Sequence, residues 1–304
     1  MRLRLTRREF AMLPGGVVAA SLAMRAAAAP AGPDEPLITR AIPVSGEQLP
    51  AVGLGTAQVF DDDDQTTRQQ AASVVQALLG NGGSLIDTAS SYGDAEKVLG
   101  TVIATAEERA KLFLATKLET PDERELRRSL ARLRTGKLDL LQLHNVDDPH
   151  QSLSRFRDWK AQGICRYIGI TSTFHGAFGA IETVLAREKP DFVQIDYSIA
   201  DREAEKRILP RAAEAKAAVL TALPFGHGQL FRAVRGKTIP EWASGFAGSW
   251  AQFFLKYILS DPRVTAVIPG TANAAHMSDN LSAMRGALPD PDQRRRMEQF
   301  VAAL

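Results

Sequence analysis

The chain has 304 residues, 45% of them hydrophobic and 24% charged, with 37 basic and 35 acidic side chains and a formal net charge of +2. That balance is ordinary for a soluble globular protein, and the length allows a buried core without disulfides; the single cysteine, Cys165, excludes an internal bridge. Residues 1–29 hold five arginines against Glu9, a net of +4, so the remainder stands at −2 and carries no basic block of the kind that binds nucleic acid.

The first 29 residues read as an address rather than as structure. A basic start leads into an apolar stretch, 11–24, that is too short to span a bilayer, and Ala26 to Ala29 offer a small-residue cleavage site. Arg7 and Arg8, with Thr6 before them and Phe10 after, resemble a bacterial twin-arginine signal. The resemblance implies recognition by the twin-arginine export machinery, a periplasmic or otherwise exported product, and no stable membrane association after cleavage. The body is then residues 30–304, one domain without an internal repeat or low-complexity tract.

From residue 37 the chain alternates short β-rich runs with helical patterns. The segment LITRAIPVSGEQLPAVGLGT places two strand-like runs around Ser45 and Gly46, which predicts a hairpin. Strand-like runs follow at 52–55, 85–87, 112–117, 138–144, 167–171, 192–195, 218–221 and 265–268. Apolar residues at helical spacing fill most gaps, as at 69–79, 124–134 and 204–215. Eight such units in about 250 residues predict a single (β/α)8 TIM barrel with an N-terminal β-hairpin. The competing doubly wound sheet is disfavoured, because no G-x-G-x-x-G follows an early strand.

Three of the runs end on an ionisable side chain: LID on Asp87, LFLATK on Lys117 and LDLLQLH on His144. Barrel active sites lie at the C-terminal ends of strands, so the three converge on one mouth. Tyr92, five residues beyond Asp87, sits in the following loop and reaches the same place. Singly, each has a bland reading as a cap, a solvated charge or a structural histidine. Together they suit carbonyl reduction, which needs a proton on oxygen as well as a hydride on carbon. A phenol titrates near 10 in water; a neighbouring ammonium is expected to lower that, and a shift of ~2 units corresponds to ~2.7 kcal/mol. Asp87 would keep Lys117 protonated, and His144 would hydrogen-bond and orient the carbonyl oxygen.

These segments resemble the aldo-keto reductase superfamily. LIDTASSYGDAEKVLG is similar to its Asp-and-Tyr signature, LATK supplies its lysine and LLQLHN its histidine, and the likeness runs from about 49 to 283. The resemblance implies an NADP-dependent oxidoreductase acting on small carbonyl substrates, with Tyr92, Asp87, Lys117 and His144 catalytic. YIGITS and FVQIDYSI imply that Thr171, Ser172 and Gln194 hold the nicotinamide amide. VIPGTANAAHMSDNLSA implies an adenosine-phosphate site on Gly270, Thr271, His276 and Asn280, with backbone N–H groups at the start of a helix as the anion site. Gly270 and His276 stand where many relatives carry lysine and arginine, which leaves NAD possible beside NADP. Ala222 stands where many have a stacking tyrosine, with Phe225 nearby. With 24 residues after Asn280, the long C-terminal loop of many relatives is absent, which implies an open pocket.

The remaining features read as structural. The run from Asp61 to Asp64 lacks calcium-loop spacing and suits a turn and helix cap. The five histidines show no zinc-binding spacing, so no metal is expected. Cys165, Trp242 and Trp250 read as packing. The alternative to an enzyme is a cofactor-binding regulatory barrel with little turnover, since fold does not fix function.

Overall fold

In the computed structural model, the described residues are 35–103 and 105–304; the signal-like segment lies outside them. The chain opens with β1 (Thr39–Ala41) and β2 (Gln48–Pro50), paired antiparallel around a turn in which Gly46 takes φ +76°. Eight further strands follow: β3 (Leu54–Gly55), β4 (Leu85–Asp87), β5 (Phe113–Leu118), β6 (Leu138–Leu143), β7 (Cys165–Ser172), β8 (Phe192–Asp196), β9 (Ala218–Ala222) and β10 (Ala266–Val267). All pair in parallel and in strict chain order. Gly53 N donates to Val267 O at 2.9 Å and Gly55 N to Pro269 O at 3.0 Å, so the last strand meets the first and the sheet closes. Chain order with closure is a (β/α)8 barrel and rules out a doubly wound sheet. All eight runs expected from sequence are strands, and the hairpin is present.

The helices are α1 (Gln65–Gly80), α2 (Ala95–Val102), α3 (Ala106–Ala110), α4 (Glu123–Arg132), α5 (Ser154–Ala161), α6 (Phe178–Glu188), α7 (Glu203–Lys206), α8 (Ile208–Ala215), α9 (Gln229–Ala233), α10 (Trp250–Leu259), α11 (Ala274–Ser282) and α12 (Pro291–Ala302). The single helix expected over 204–215 is two, divided at Arg207. Pro210 lacks an N–H and is tolerated only in a helix's first turn, so a new helix has to begin just before it.

Strand alternation sorts the side chains. Ile86, Leu114, Leu141, Leu143, Ile168, Ile170, Val193, Ile195 and Val219 face the helices and join one large apolar cluster. Leu85, Phe113, Leu140, Tyr167, Phe192, Leu220 and Ala266 face inward and form a second. Phe113, Tyr167 and Phe192 interlock there, with ring centroids 5.5–5.9 Å apart. The hairpin's Ile42 and Leu49 close this end from below. Tyr167 Oη donates to Glu47 at 2.6 Å and accepts from Ser45 at 2.7 Å, fastening the plug. Along the same strands the inward positions then turn polar, which places the chemistry at the C-terminal mouth.

Among the described residues, no helix is long and apolar enough to cross a membrane. Asp61 to Asp64 form the turn into α1, as expected. Asp64 caps that helix at Thr67 N (2.7 Å), and Asp63 pairs with Arg68 and, at 2.6 Å, with Lys97 of α2. Cys165 is buried, and burial pushes its thiol up to about 12, in keeping with an inert packing role.

Candidate active site

Lys117 is inaccessible to solvent, yet all three of its ammonium donors are occupied. They go to Asp87 Oδ2 at 2.6 Å, Thr88 O at 2.8 Å and Tyr92 Oη at 3.4 Å. Burial alone would depress its pKa, but Asp87 and Tyr92 more than offset that, and the net shift is upward. The lysine is therefore a fixed cation. Asp87 is held in turn by Gln142 Nε2 at 3.2 Å and Gln194 Nε2 at 3.3 Å, and the two glutamines bond each other at 2.9 Å.

Tyr92 is placed by its loop. Ser90 N donates to Lys117 O at 3.0 Å and Tyr92 N to Ala89 O at 3.2 Å. Gly93 follows at φ +48° against the backbone of Asp61; a Cβ there would lie 2.6 Å from Asp61 O, so only glycine lets the loop close. The Tyr92 ring then rests 4.8 Å from Lys117 Nζ and edge-on to His144, with centroids 5.6 Å apart. The four residues predicted to converge do so.

The expected acidification of Tyr92 is not found. Burial raises its pKa, and Asp87 and Glu119 add to the rise, so the attraction of Lys117 does not win. The lysine lies closer to Asp87 than to the phenol, and much of its field is cancelled there. Tyr92 is a neutral O–H donor at neutral pH. His144 is also shifted below its ordinary value, by burial and then by the charge of Lys117.

Sequence reasoning missed two residues. Gln142 sits two positions before His144 on the same inward face, a signal that alternation alone supplies. Glu119, just beyond β5, accepts from His144 Nδ1 at 2.5 Å, from Ser91 Oγ at 2.6 Å and from Asn145 Nδ2 at 3.2 Å. Burial opposes its ionisation, but these hydrogen bonds hold its carboxyl below the usual range. A third grouping unseen in the sequence lies on the rim, where His175 Nε2 bridges Asp196 (2.8 Å) and Asp201 (3.1 Å).

Two cavities adjoin the site. One, of about 260 Å³, is lined by Gly55, Asp87, Tyr92, Gln194, Phe225 and Gly270 among others. The second, of about 480 Å³, is lined by Phe225, Phe231, Trp250, Gly270, Thr271, His276, Asp279 and Asn280. They share Phe225 and Gly270, so a groove runs from Tyr92 to α11, a shape suited to a dinucleotide. Gly55 lies where the barrel closes, and a Cβ on it would meet the backbone Ile268 O at 2.8 Å. Thr171 lies beside Gln194 in the sheet register; alternation turns Ser172 the other way, where its hydroxyl accepts from Phe174 N at 3.4 Å. Trp250, read from sequence as core, both stacks on Phe254 and lines the groove.

The helix expected to start at Gly270 and Thr271 starts three residues further on. The helix begins at Ala274, and its cap Asn273 accepts from Ala275 N and His276 N at 2.8 and 3.2 Å. The short amide side chain thus takes two of the N–H groups at that start. Among the residues lining this second cavity, His276 is the one basic side chain.

The aldo/keto reductase family profile matches residues 51–301. The chain belongs to the aldo/keto reductase family. A Mycobacterium marinum aldo-keto reductase is 28% identical over 249 residues, covering 77% of this chain and 81% of that protein. An uncharacterized oxidoreductase of Bacillus subtilis, YqkF, is 24% identical over 276 residues, covering 76% and 85%. Among solved structures, a Klebsiella pneumoniae aldo/keto reductase in complex with NADP and acetate superposes with a TM-score of 0.72 at 24% identity, over 84% of this chain and 93% of that one. The holo form of a Bacillus halodurans aldo-keto reductase gives 0.70 at 23%, over 88% and 96%. At these identities the structures bear on the fold. Family membership makes this aldo-keto reductase an oxidoreductase.

Proposed function

We propose that this aldo-keto reductase reduces aldehydes and ketones to alcohols, with Tyr92 as the proton donor. The observation that carries the reading is the full use of the Lys117 ammonium, whose third hydrogen bond falls on the Tyr92 oxygen. With its oxygen accepting from Lys117, the phenol directs its own hydrogen outward to the groove. NADPH, when bound, supplies the hydride. Lys117 stabilises the phenolate left after proton transfer, Asp87 keeps Lys117 charged, and His144 orients the carbonyl oxygen. Gln194, with Thr171 beside it in the sheet, is assigned to the nicotinamide amide, and Gly270, Thr271, His276 and Asn280, which line the second cavity, to the adenosine phosphate. The complexes of related proteins with NADP favour that nucleotide. The sparse positive charge around the second cavity leaves NADH competent as well.

One observation favours the reading of a nucleotide-binding barrel with little turnover: the raised pKa of Tyr92. Nucleotide absorbance followed with a panel of small aldehydes and ketones separates the two. Oxidation of NADPH or NADH that depends on the carbonyl supports the reductase, and tight binding without turnover supports the silent barrel. Arg7, Arg8 and the small residues at 26–29 support export of the folded protein through the twin-arginine machinery. Replacing both arginines by lysine should retain the product in the cytoplasm, and unchanged periplasmic recovery would count against export.

A further inference from the structure

The His144–Glu119 contact has a chemical consequence that rests on the reductase reading. An ionised carboxylate only accepts hydrogen bonds, so the 2.5 Å contact requires the hydrogen of His144 on Nδ1. Glu119 cannot turn away freely, because Ser91 and Asn145 hold its two oxygens from separate loops. Nε2 has no hydrogen-bond partner among the described residues. In the neutral ring that nitrogen is therefore a bare lone pair, which repels a carbonyl oxygen; only the imidazolium presents Nε2–H.

We propose that Glu119 is a positioning residue that fixes the His144 tautomer, so that His144 assists carbonyl reduction only when protonated. The groups facing His144 pull in opposite senses. Lys117 on β5 opposes the imidazolium, whereas Glu119 after β5 and Asp87 on β4 favour it, and the phenol of Tyr92 is neutral. Glu119 supplies the nearest of these charges. Removing its charge while keeping an acceptor for Nδ1–H isolates the electrostatic part of its role.

The test compares wild type with Glu119→Gln and Glu119→Asp. First, ¹⁵N-histidine spectra of the protein are titrated, with the His144 signals assigned by their loss in His144→Asn. The expected wild-type result is a protonated Nδ1 and an unprotonated Nε2 above the titration midpoint, and a midpoint lowered by a unit or more in Glu119→Gln. Second, kcat/KM for reduction should fall as pH rises through the same midpoint. That limb should move down by a similar amount in Glu119→Gln and be restored toward wild type in Glu119→Asp. A neutral ring protonated on Nε2, or a midpoint and pH limb unmoved by Glu119→Gln, would overturn the proposal. The tautomer is read without turnover, so absence of reductase activity would defeat the functional reading and leave the Glu119 assignment to be judged on its own.

Discussion

Near the hairpin, the barrel's inward layer is Leu85, Phe113, Tyr167 and Phe192, an apolar plug built on three aromatic rings. One or two inward positions further along the same strands it is Asp87, Lys117 and Gln194, a buried network tied by hydrogen bonds on Asp87, with Thr171 beside Gln194 in the sheet. Backbone geometry is continuous between the two layers, so the difference comes from side chains alone. An apolar layer tolerates substitutions of similar volume, because its attraction is non-directional. The polar layer does not: each member is the partner that keeps another buried group satisfied. Barrel architecture thus lets stability be concentrated at one end while exact chemistry is held at the other.

Replacing Lys117 by Met breaks the comparison most severely. It leaves Asp87 buried without its cation, which costs about 3–5 kcal/mol in typical cases, and it removes the hydrogen bond to Tyr92. Urea denaturation should show the loss, and turnover should disappear. Adding Asp87→Asn should recover part of the stability and none of the activity. If activity returned with it, the polar layer would be structural only.

Phe192→Ala tests the other end. Opening the plug should cost about 3–5 kcal/mol in the same denaturation measurement. Turnover per folded molecule at low temperature should change by less than about threefold, since the plug shares no hydrogen bond with the polar network; this allowance is an order-of-magnitude reading of additivity. A larger loss of turnover would show that the two layers are coupled.

A smaller effect concerns Lys256 on α10, which donates to Arg285 O at 2.5 Å and Ala287 O at 2.9 Å. Burial lowers its pKa to about 8 from an ordinary 10.5. The unfolded chain then binds more protons than the folded one between those values, so this group's contribution to stability rises as pH rises from about 8 to 10.5. Relative to Lys256→Met, the wild type should gain stability over that window in calorimetric scans. A difference that stays flat would mean the buried amine does not titrate there.

The fold was largely legible because parallel barrel strands are short apolar runs separated by helical periods, and eight of them appear in sequence. Asp87, Lys117 and His144 were legible as charges standing where such runs stop. Gln142 obeys the same alternation and was open to the same reasoning. Glu119 was not, since its meeting with His144 depends on the path of a loop after β5. Sequence shows that Lys117 neighbours Tyr92, but it does not show how much water burial removes, and the direction of the tyrosine shift turned on that. The helix after β10 starts later than its sequence suggests for a local reason, because Asn273 is the residue that caps it.

Tyr92→Phe tests the central claim most directly, because it removes one oxygen and leaves the ring against Lys117 and His144. Nucleotide binding, followed by fluorescence, and carbonyl-dependent oxidation of NADPH and NADH should be measured on both proteins. Binding within about twofold of wild type, with kcat reduced by about 10²-fold or more, is the predicted result, the scale being that of a lost general acid. Equal turnover in the two proteins would contradict it, and the proton donor would have to be sought elsewhere in the groove.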